Sequence, residues 1–287
     1  MTGTAPSRQA HPPEPTRWAG HPVERATVGG MVVRSAGVGP PLMLLHGGFG
    51  SWNHWIRNVD ALAAEYRLIV PDLPGMGGSV IDPPEDITID DYLSLLDPVF
   101  GHYVGPSDRR LLLGGFSYGA LLGSCLVETM ADRIRAAALI APGSYPAGAA
   151  NRLPLMQIVN NLDDAEINAI HRHNLATLMI RDTAKIDDAT VAMQRWNVEN
   201  MRFSARMIGY GDHLGRYLPH TRCPILFLIG AHDPMHNPSS ESRAAYLAAF
   251  SPLIKTEIVP DASHWAAFEQ AEWVNARFLA FFRGAPP

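Results

Sequence analysis

Cysteine is scarce in this sequence: only Cys125 and Cys223 occur among its 287 residues. The two thiols are far apart and both stand in apolar surroundings. This pattern is typical of buried free thiols and not of a disulfide framework or a metal-binding knuckle. Such cysteine use suits a reducing compartment, and we expect a cytoplasmic protein.

Long apolar runs and an excess of positive charge are missing as well. No segment approaches the ~18 consecutive apolar residues of a membrane-spanning helix, and the first twenty residues lack the apolar stretch of a signal peptide. Those residues are rich in Pro, Ser and Thr, so we expect residues 1–22 to form a flexible segment. The net charge is -5, with 23 Lys and Arg spread along the chain, so no basic stripe is available for a nucleic acid.

The pattern that is present alternates short apolar runs with segments of helical periodicity from about Val23 onward. The apolar runs predict strands in MVVRSAG, PPLMLLHGG, RLIVPDLPG, RRLLLGG, RIRAAALIAPG, CPILFLIG and KTEIVP. Strands that alternate with helices imply a mostly parallel sheet with helices on both faces. We therefore predict an α/β fold whose core comprises residues 23–143 and 220–287.

Residues 144–219 interrupt this alternation. They contain helical patterns such as DDAEINAIHRHNLATLMI and DDATVAMQRWNVENMRFSARMIG, and no convincing strand. We expect them to form a helical lid over the carboxyl ends of the strands, where parallel sheets form their ligand crevices.

The segment Gly115-Phe116-Ser117-Tyr118-Gly119 matches the pattern G-x-S-x-G between a buried strand and an apolar helix. A sharp turn from strand to helix crowds the backbone of its central residue, and neighbours without Cβ relieve this crowding. The pattern predicts that Ser117 is a nucleophile. The alternative is a glycine-softened turn in which the serine is incidental.

A serine hydroxyl needs a base to take its proton and an acid to orient that base. His264 follows the last predicted strand and begins the last helix, and Asp233 follows the preceding strand at its carboxyl end. An aspartate in this position is commonly a turn residue, and Asp261 is an alternative acid. The chain order Ser117, Asp233, His264 is the order that this architecture requires, and it favours the catalytic interpretation.

The tetrahedral intermediate of such a reaction needs two amide donors for its oxyanion. We expect the amide of Tyr118, directly after the nucleophile, to supply one donor. The turn in LLHGGFGSW is expected to supply the other from Gly48 or Phe49. Neither G-x-x-x-x-G-K-[ST] nor G-x-G-x-x-G occurs, so these glycines do not indicate a phosphate site.

From Val23 onward the chain resembles the α/β-hydrolase family over nearly its whole length. The resemblance rests on His46-Gly47, DLPGMGGS, GFSYG, Asp233 and His264 in the family's order. It implies a serine hydrolase, because the dehalogenase and epoxide hydrolase branches use an aspartate nucleophile. It also implies that His46 braces the oxyanion loop by hydrogen bonding.

Within the family, the nearest likeness is to the hydrolases that cleave carbon-carbon bonds in ring-fission products of aromatic compounds. Trp52 with RNV at residues 57–59, and HWAAFE around His264, carry this likeness. Those enzymes usually have an asparagine before the nucleophile and a substrate-binding asparagine in the first helix, where this chain has Phe116 and His54. The differences leave a simpler ester or lactone equally open.

Further side chains are candidates for substrate contact. Trp265, beside the catalytic histidine, is expected to form a pocket wall together with His54 and Phe116. Arg202 and Arg206 lie four residues apart on a predicted lid helix that follows Glu199, which indicates an ion-paired solvent face. The alternative is that one of these arginines meets a substrate carboxylate.

We therefore predict a serine hydrolase in which Ser117 attacks a carbonyl carbon, His264 acts as general base and then acid, and Asp233 orients the imidazole. The expected substrate is a small hydrophobic carboxylic ester or lactone. Carbon-carbon bond hydrolysis and a binding protein without catalysis are the alternatives. We expect no metal or other cofactor, and a small-molecule substrate as partner without nucleic acid or membrane; a homodimer is left open.

Overall fold

The computed structural model describes residues 13–104, 111–144, 153–204, 208 and 211–285. Within these residues the strands are β1 (Arg17–Trp18), β2 (His21–Pro22), β3 (Glu24–Val28), β4 (Met31–Ala36), β5 (Pro41–Leu45), β6 (Arg67–Pro71), β7 (Leu111–Phe116), β8 (Ile134–Ile140), β9 (Ile225–Gly230) and β10 (Ile254–Val259). Strands β3 to β10 form one sheet in the order β10-β9-β8-β7-β5-β6-β4-β3. Strands β5 to β10 pair in parallel, whereas β4 pairs antiparallel with β3 and β6.

From β5 onward, one or more helices of the described residues follow each strand. They are α1 (Val59–Ala63), α2 (Ile89–Ser94), α3 (Asp97–Tyr103), α4 (Tyr118–Thr129), α5 (Asp164–Asn174), α6 (Asp188–Glu199), α7 (His213–Tyr217), α8 (Ser240–Ala248), α9 (Ala266–Glu269) and α10 (Ala271–Arg283). Short 3₁₀ helices occur at Trp52–Trp55, Thr183–Lys185 and Leu218–His220, and a π-helix occurs at Leu175–Met179.

The central strands are buried on both faces, which explains their continuous apolar sequences. Successive side chains of a strand point to opposite faces, and Leu112 and Leu113 accordingly belong to two different core clusters. The cluster around Leu113 includes residues of α2, α3, α4, α7 and α8, and the cluster around Leu112 includes residues of α1, α9 and α10. The predicted α/β class, a mostly parallel sheet with helices on both faces, is confirmed.

The register of the sheet brings several strand ends to the same edge. Leu45 of β5 pairs with Gly115 of β7, and Gly230 of β9 pairs with Val259 of β10. Because these strands are parallel, the loops that follow them leave the sheet at its carboxyl edge. This edge therefore collects the residues after β5, β7, β9 and β10.

The amino-terminal region differs in part from its expected flexibility. Residues 17–22 form a small antiparallel hairpin of β1 and β2, and Trp18 is only 2% exposed. The Trp18 ring lies 6.0 Å from the ring of Trp52, so apolar packing holds the hairpin on the core. The expected flexible segment of residues 1–22 therefore extends too far, because residues 17–22 form this hairpin. Residues 1–12 lie outside the described part of the chain.

The region from 144 to 219 contains α5, α6 and α7, and within its described residues no strand occurs. Among the helices of the described residues, none combines the length and apolar character that crossing a membrane requires.

Candidate active site

Ser117 lies at the sharp turn between β7 and α4. Its φ of 52° and ψ of -108° fall outside the regions that a residue with a Cβ normally adopts. A Cβ on Gly115 would lie 2.6 Å from the carbonyl oxygen of Gly119, and one on Gly119 would lie 2.3 Å from the carbonyl oxygen of Leu45. Both glycines are therefore required by close backbone approaches, as G-x-S-x-G predicts.

Three side chains from three loops meet at this turn. Ser117 Oγ lies 2.9 Å from His264 Nε2, and His264 Nδ1 lies 2.7 Å from Asp233 Oδ2. Because a carboxylate only accepts, Nδ1 of His264 carries a proton, and the neutral ring then accepts the Ser117 hydroxyl proton at Nε2. Of the two candidate acids, Asp233 makes this contact, whereas Asp261 occupies a turn position with a φ of 52°.

The Asp233 side chain is fully buried, and yet its surroundings favour the charged carboxylate. Burial alone raises the pKa of a carboxyl group, but the electrostatic attraction and hydrogen bond of His264, with smaller effects of His236 and the Met235 N–H, hold the pKa of Asp233 below its usual value. Asp233 Oδ1 also accepts a hydrogen bond from the backbone N–H of Met235 over 2.9 Å. The carboxylate is thus fixed in position and oriented towards His264.

The loop after β5 is braced by His46. Its Nδ1 lies 2.8 Å from the Gly47 carbonyl oxygen, which can only accept, and its Nε2 accepts from the Leu73 N–H over 2.8 Å. Burial lowers the pKa of His46, so the neutral ring with its proton on Nδ1 satisfies both contacts. His46 therefore joins this loop to the segment after β6.

The candidate oxyanion amides belong to two segments, the start of α4 and the turn after β5. Tyr118 is the first residue of α4, and the first N–H groups of a helix have no acceptor within the helix. Phe49 in the turn after β5 adopts a φ of 55°. At this angle the peptide groups on the two sides of Phe49 point in other directions than they would in an extended strand. Both regions follow neighbouring strands, β5 and β7, and they meet at the carboxyl edge of the sheet.

The aromatic side chains predicted to contact substrate form a buried group around His264. The ring centre of Phe116 lies 5.3 Å from that of His264, and the ring of His54 lies 5.4 Å from Phe116 and 4.9 Å from Trp265. Trp265 Nε1 donates to the His54 carbonyl over 3.0 Å. His54, Phe116 and Trp265 are each at most 1% exposed.

Arg202 is not directed into this group. Its Nε donates to Asp82 Oδ1 over 2.7 Å, its guanidinium also donates to the Ser79 carbonyl, and its side chain is 37% exposed. The ion pair with Asp82 holds Arg202 at the surface, as the expected ion-paired solvent face implies, and these contacts do not support the alternative that Arg202 meets a substrate carboxylate. Arg206 lies outside the described residues. Glu199, the expected partner of these arginines, instead accepts from Arg195 Nε over 2.7 Å.

Three polar residues near the site were not predicted from the sequence. Glu269 Oε2 accepts from the Ser263 N–H over 2.7 Å and so fixes the residue before His264. Gln194 and Asn197 of α6 donate to the segment after β5. The glutamate stands in the HWAAFE segment, but the two amides have no motif, and only their polarity on a largely buried helix could have drawn attention to them.

No group of three or more His, Cys, Asp or Glu side chains within the described ranges is arranged to hold a metal ion. His236 instead contacts Asp233 and Ser240: Nε2 lies 3.4 Å from Asp233 Oδ2, and Nδ1 lies 3.1 Å from Ser240 Oγ.

Comparisons with known proteins agree with the fold. The chain belongs to the alpha/beta hydrolase family, whose model matches residues 42–277. The family and the enzyme class predicted from the sequence, an α/β hydrolase, are therefore confirmed.

Several relatives match most of this chain. It is 26% identical over 260 residues to an uncharacterized carboxylesterase, nap, of Bacillus subtilis (strain 168), covering 85% of this chain and 79% of that protein. It is 24% identical over 269 residues to 2-hydroxy-6-oxo-6-phenylhexa-2,4-dienoate hydrolase of Burkholderia cepacia, covering 87% and 90%. Among solved structures, naproxen esterase (carboxylesterase NP) from Bacillus subtilis superposes with a TM-score of 0.72 at 24% identity, covering 93% and 92%.

Proposed function

We propose that the protein is a serine hydrolase of small hydrophobic carboxylic esters or lactones. The observation that carries the proposal is the continuous hydrogen-bond path from Asp233 through His264 to Ser117, with distances of 2.7 and 2.9 Å. These are the distances and the order that an activated serine nucleophile needs.

In the proposed reaction, Ser117 Oγ attacks the carbonyl carbon of the ester while its proton passes to His264 Nε2. The amide of Tyr118 and that of Gly48 or Phe49 stabilise the oxyanion of the tetrahedral intermediate. When the intermediate collapses, His264 returns the proton to the departing alcohol, and an acyl group remains on Ser117. Water activated by His264 then releases the acid.

The surroundings of the nucleophile favour an uncharged, apolar substrate. Phe116 and Trp265 stand beside His264, and Tyr118 is buried in the core next to Tyr92, with ring centres 5.6 Å apart. Arg202, which could have met a substrate carboxylate, is paired with Asp82. The carboxylesterase names of relatives such as nap of Bacillus subtilis point to the same substrate class. We further propose that residues 144–219 act as a lid over the site.

The first experiment compares the purified wild-type protein with Ser117→Ala on p-nitrophenyl esters of increasing acyl length and on lactones. We expect turnover by the wild type and none above background by the variant. A fluorophosphonate probe should label the folded wild-type protein at the peptide that contains Ser117. Ser124→Ala is the matched control, because Ser124 lies on α4 and its hydroxyl donates to the Ala120 carbonyl over 2.8 Å. Absence of labelling and of Ser117-dependent turnover would contradict the proposal.

Carbon-carbon bond hydrolysis is a second candidate, supported by the match to the dienoate hydrolase of Burkholderia cepacia over 87% of this chain. Such a substrate carries a carboxylate, so it needs a cationic or amide partner that the ester does not need. Turnover of a ring-fission dienoate that exceeds turnover of every ester in the panel would favour this candidate over the first.

A further inference from the structure

Helix α6 carries two amide side chains, Gln194 and Asn197, that are three residues apart and therefore lie on the same face. They are buried, with exposed fractions of 9% and 0%. Their hydrogen-bond partners, Phe49 and Asn53, lie 145 and 144 residues earlier in the chain. Helix α6 thus contacts the turn that carries a proposed oxyanion amide.

The contact at Asn197 is a closed polar network. Asn53 Nδ2 donates to Asn197 Oδ1, and Asn197 Nδ2 donates back to Asn53 Oδ1, each over 2.9 Å. Ser51 Oγ donates to the same Asn197 Oδ1 over 3.0 Å. All three side chains are fully buried. A small shift of the helix would therefore break their hydrogen bonds at a place where water does not replace them. The network fixes the distance between α6 and the 3₁₀ helix that follows the turn.

The contact at Gln194 reaches the turn itself. Its Nε2 donates over 3.3 Å to the carbonyl of Phe49, whose positive φ persists only when neighbours impose it. His54 also holds the turn, because its Nδ1 accepts from the Gly47 N–H over 3.2 Å. A Cβ on Gly50 would lie 2.2 Å from the His54 ring, which shows how closely the ring packs against this backbone.

We propose that α6 positions the oxyanion loop, residues 47–50, and that Gln194 and Asn197 are the positioning residues through which it acts. The proposal rests on the ester hydrolase function and on the role given there to this loop's amides. Amide donors that are already in place stabilise developing charge without reorganisation, and a displacement of about 1 Å can lower a rate about 100-fold. The segment expected to cover the site is therefore coupled to the stabilisation of the oxyanion.

Two substitutions and a matched control test this coupling. Asn197→Ala removes the reciprocal pair, and Gln194→Met removes the donor to Phe49 while it keeps the length and helix propensity of the side chain. Asn200→Ala is the control, because Asn200 Nδ2 donates to the Trp196 carbonyl of the same helix over 2.8 Å. We expect kcat to fall about 10- to 100-fold for Asn197→Ala and about 3- to 10-fold for Gln194→Met, with KM within about 3-fold. The control should stay within about 2-fold of wild type.

A trifluoromethyl ketone inhibitor separates positioning from general stability. Its adduct with Ser117 carries an oxyanion, so its affinity should fall by the same factor as kcat/KM in Asn197→Ala and Gln194→Met. Lower thermal stability of both variants, with unchanged kcat and unchanged ketone affinity, would overturn the proposal.

Amide hydrogen exchange of residues 46–56 gives a readout that needs no turnover. We expect faster exchange of this segment in Asn197→Ala and Gln194→Met than in wild type and in Asn200→Ala. If the wild type shows no Ser117-dependent hydrolysis, the proposed function fails, while the exchange result still decides whether α6 holds the loop. Unchanged exchange in both variants would overturn the positioning role.

Discussion

Asp233 Oδ2 lies 2.7 Å from His264 Nδ1, the ring nitrogen that faces away from Ser117. This contact sets the tautomer of the imidazole, because a carboxylate at Nδ1 leaves Nε2 free to accept the serine proton. The same carboxylate is fixed from behind by the N–H of Met235. The role of the aspartate can therefore be tested without disturbing the shape of the site.

Asp233→Asn should lower kcat by about 10³- to 10⁴-fold, because an amide at this position favours the wrong histidine tautomer while it preserves the packing. Steady-state kinetics with the best ester of the panel measures the effect. Asp261→Asn is the control, since Asp261 sits at a positive φ that asparagine also tolerates, and it should stay within about 2-fold of wild type. A larger loss in Asp261→Asn than in Asp233→Asn would mean that the acid is Asp261.

Gly119→Ala should destabilise the protein by about 3 kcal/mol. The new Cβ would lie 2.3 Å from the Leu45 carbonyl oxygen, so the backbone of α4 or of β5 would have to shift. Gly101→Ala on α3 is the opposite case, with no heavy atom within 4 Å of the added Cβ. It should raise the free energy of unfolding by about 0.5–1 kcal/mol through helix propensity. Urea denaturation of the three proteins measures both effects. Equal stability of Gly119→Ala and wild type would show that the close approach of α4 to β5 is not a constraint.

The elbow and its partners could be predicted from the sequence because each has a local cause. Gly115 and Gly119 are needed wherever a strand turns sharply into a helix, and Asp233 and His264 follow strands whose parallel order brings their ends together. These features depend on a few neighbouring residues and on the strand order alone. A single sequence is therefore sufficient to predict the glycines of the elbow and the positions of Asp233 and His264 after their strands.

The remaining contacts depend on distances that no local pattern encodes. Asn197 pairs with Asn53 across 144 residues, and neither residue belongs to a motif. Helical spacing predicts an ion-paired face for Arg202, but α6 ends at Glu199 and the partner of Arg202 is Asp82, 120 residues earlier in the chain. Composition predicts a flexible segment at Trp18, although one large apolar side chain packed against Trp52 is enough to hold a short hairpin.

The buried ion pair of Arg34 and Asp72 provides a third prediction. Both side chains are fully buried, with 3.1 Å between Arg34 Nη1 and Asp72 Oδ2, and Asp72 Oδ1 also accepts from the Trp52 N–H over 2.8 Å. Asp72→Asn should lower the free energy of unfolding by about 2–3 kcal/mol, because the buried guanidinium of Arg34 then loses its buried counter-charge and keeps its ion pair with the partly exposed Glu14. The control is Asp82→Asn at the exposed pair with Arg202, where a loss below about 1 kcal/mol is expected.

Chemical denaturation at neutral pH measures both changes in that comparison. Similar losses in Asp72→Asn and Asp82→Asn would contradict the interpretation, since burial is the difference between the two pairs.

His236 should make the protein less stable in mild acid. Burial lowers the pKa of His236 to about 4 from 6.5, and the nearby Asp233 carboxylate offsets only part of this effect. Between these values the unfolded chain takes up a proton that the folded protein does not, so the free energy of unfolding falls as the pH drops from 6.5 to about 4 and levels off below. The full contribution of His236 is about 3 kcal/mol, from about 1.4 kcal/mol per pKa unit. Urea denaturation of the wild type at about pH 7, 6, 5 and 4.5 gives the slope.

His236→Gln removes the titrating group and should reduce the loss of stability between neutral pH and about pH 4.5 by about 2 kcal/mol. Only the slopes are compared, because the substitution also changes contacts with Asp233 and Ser240 at every pH. His102→Gln is the control for exchanging a histidine for glutamine as such, since His102 is an exposed residue of α3. A His236→Gln protein that loses stability in acid as steeply as wild type would show that other groups cause the acid sensitivity. His171 is the next candidate, because burial lowers its pKa to about 4 as well.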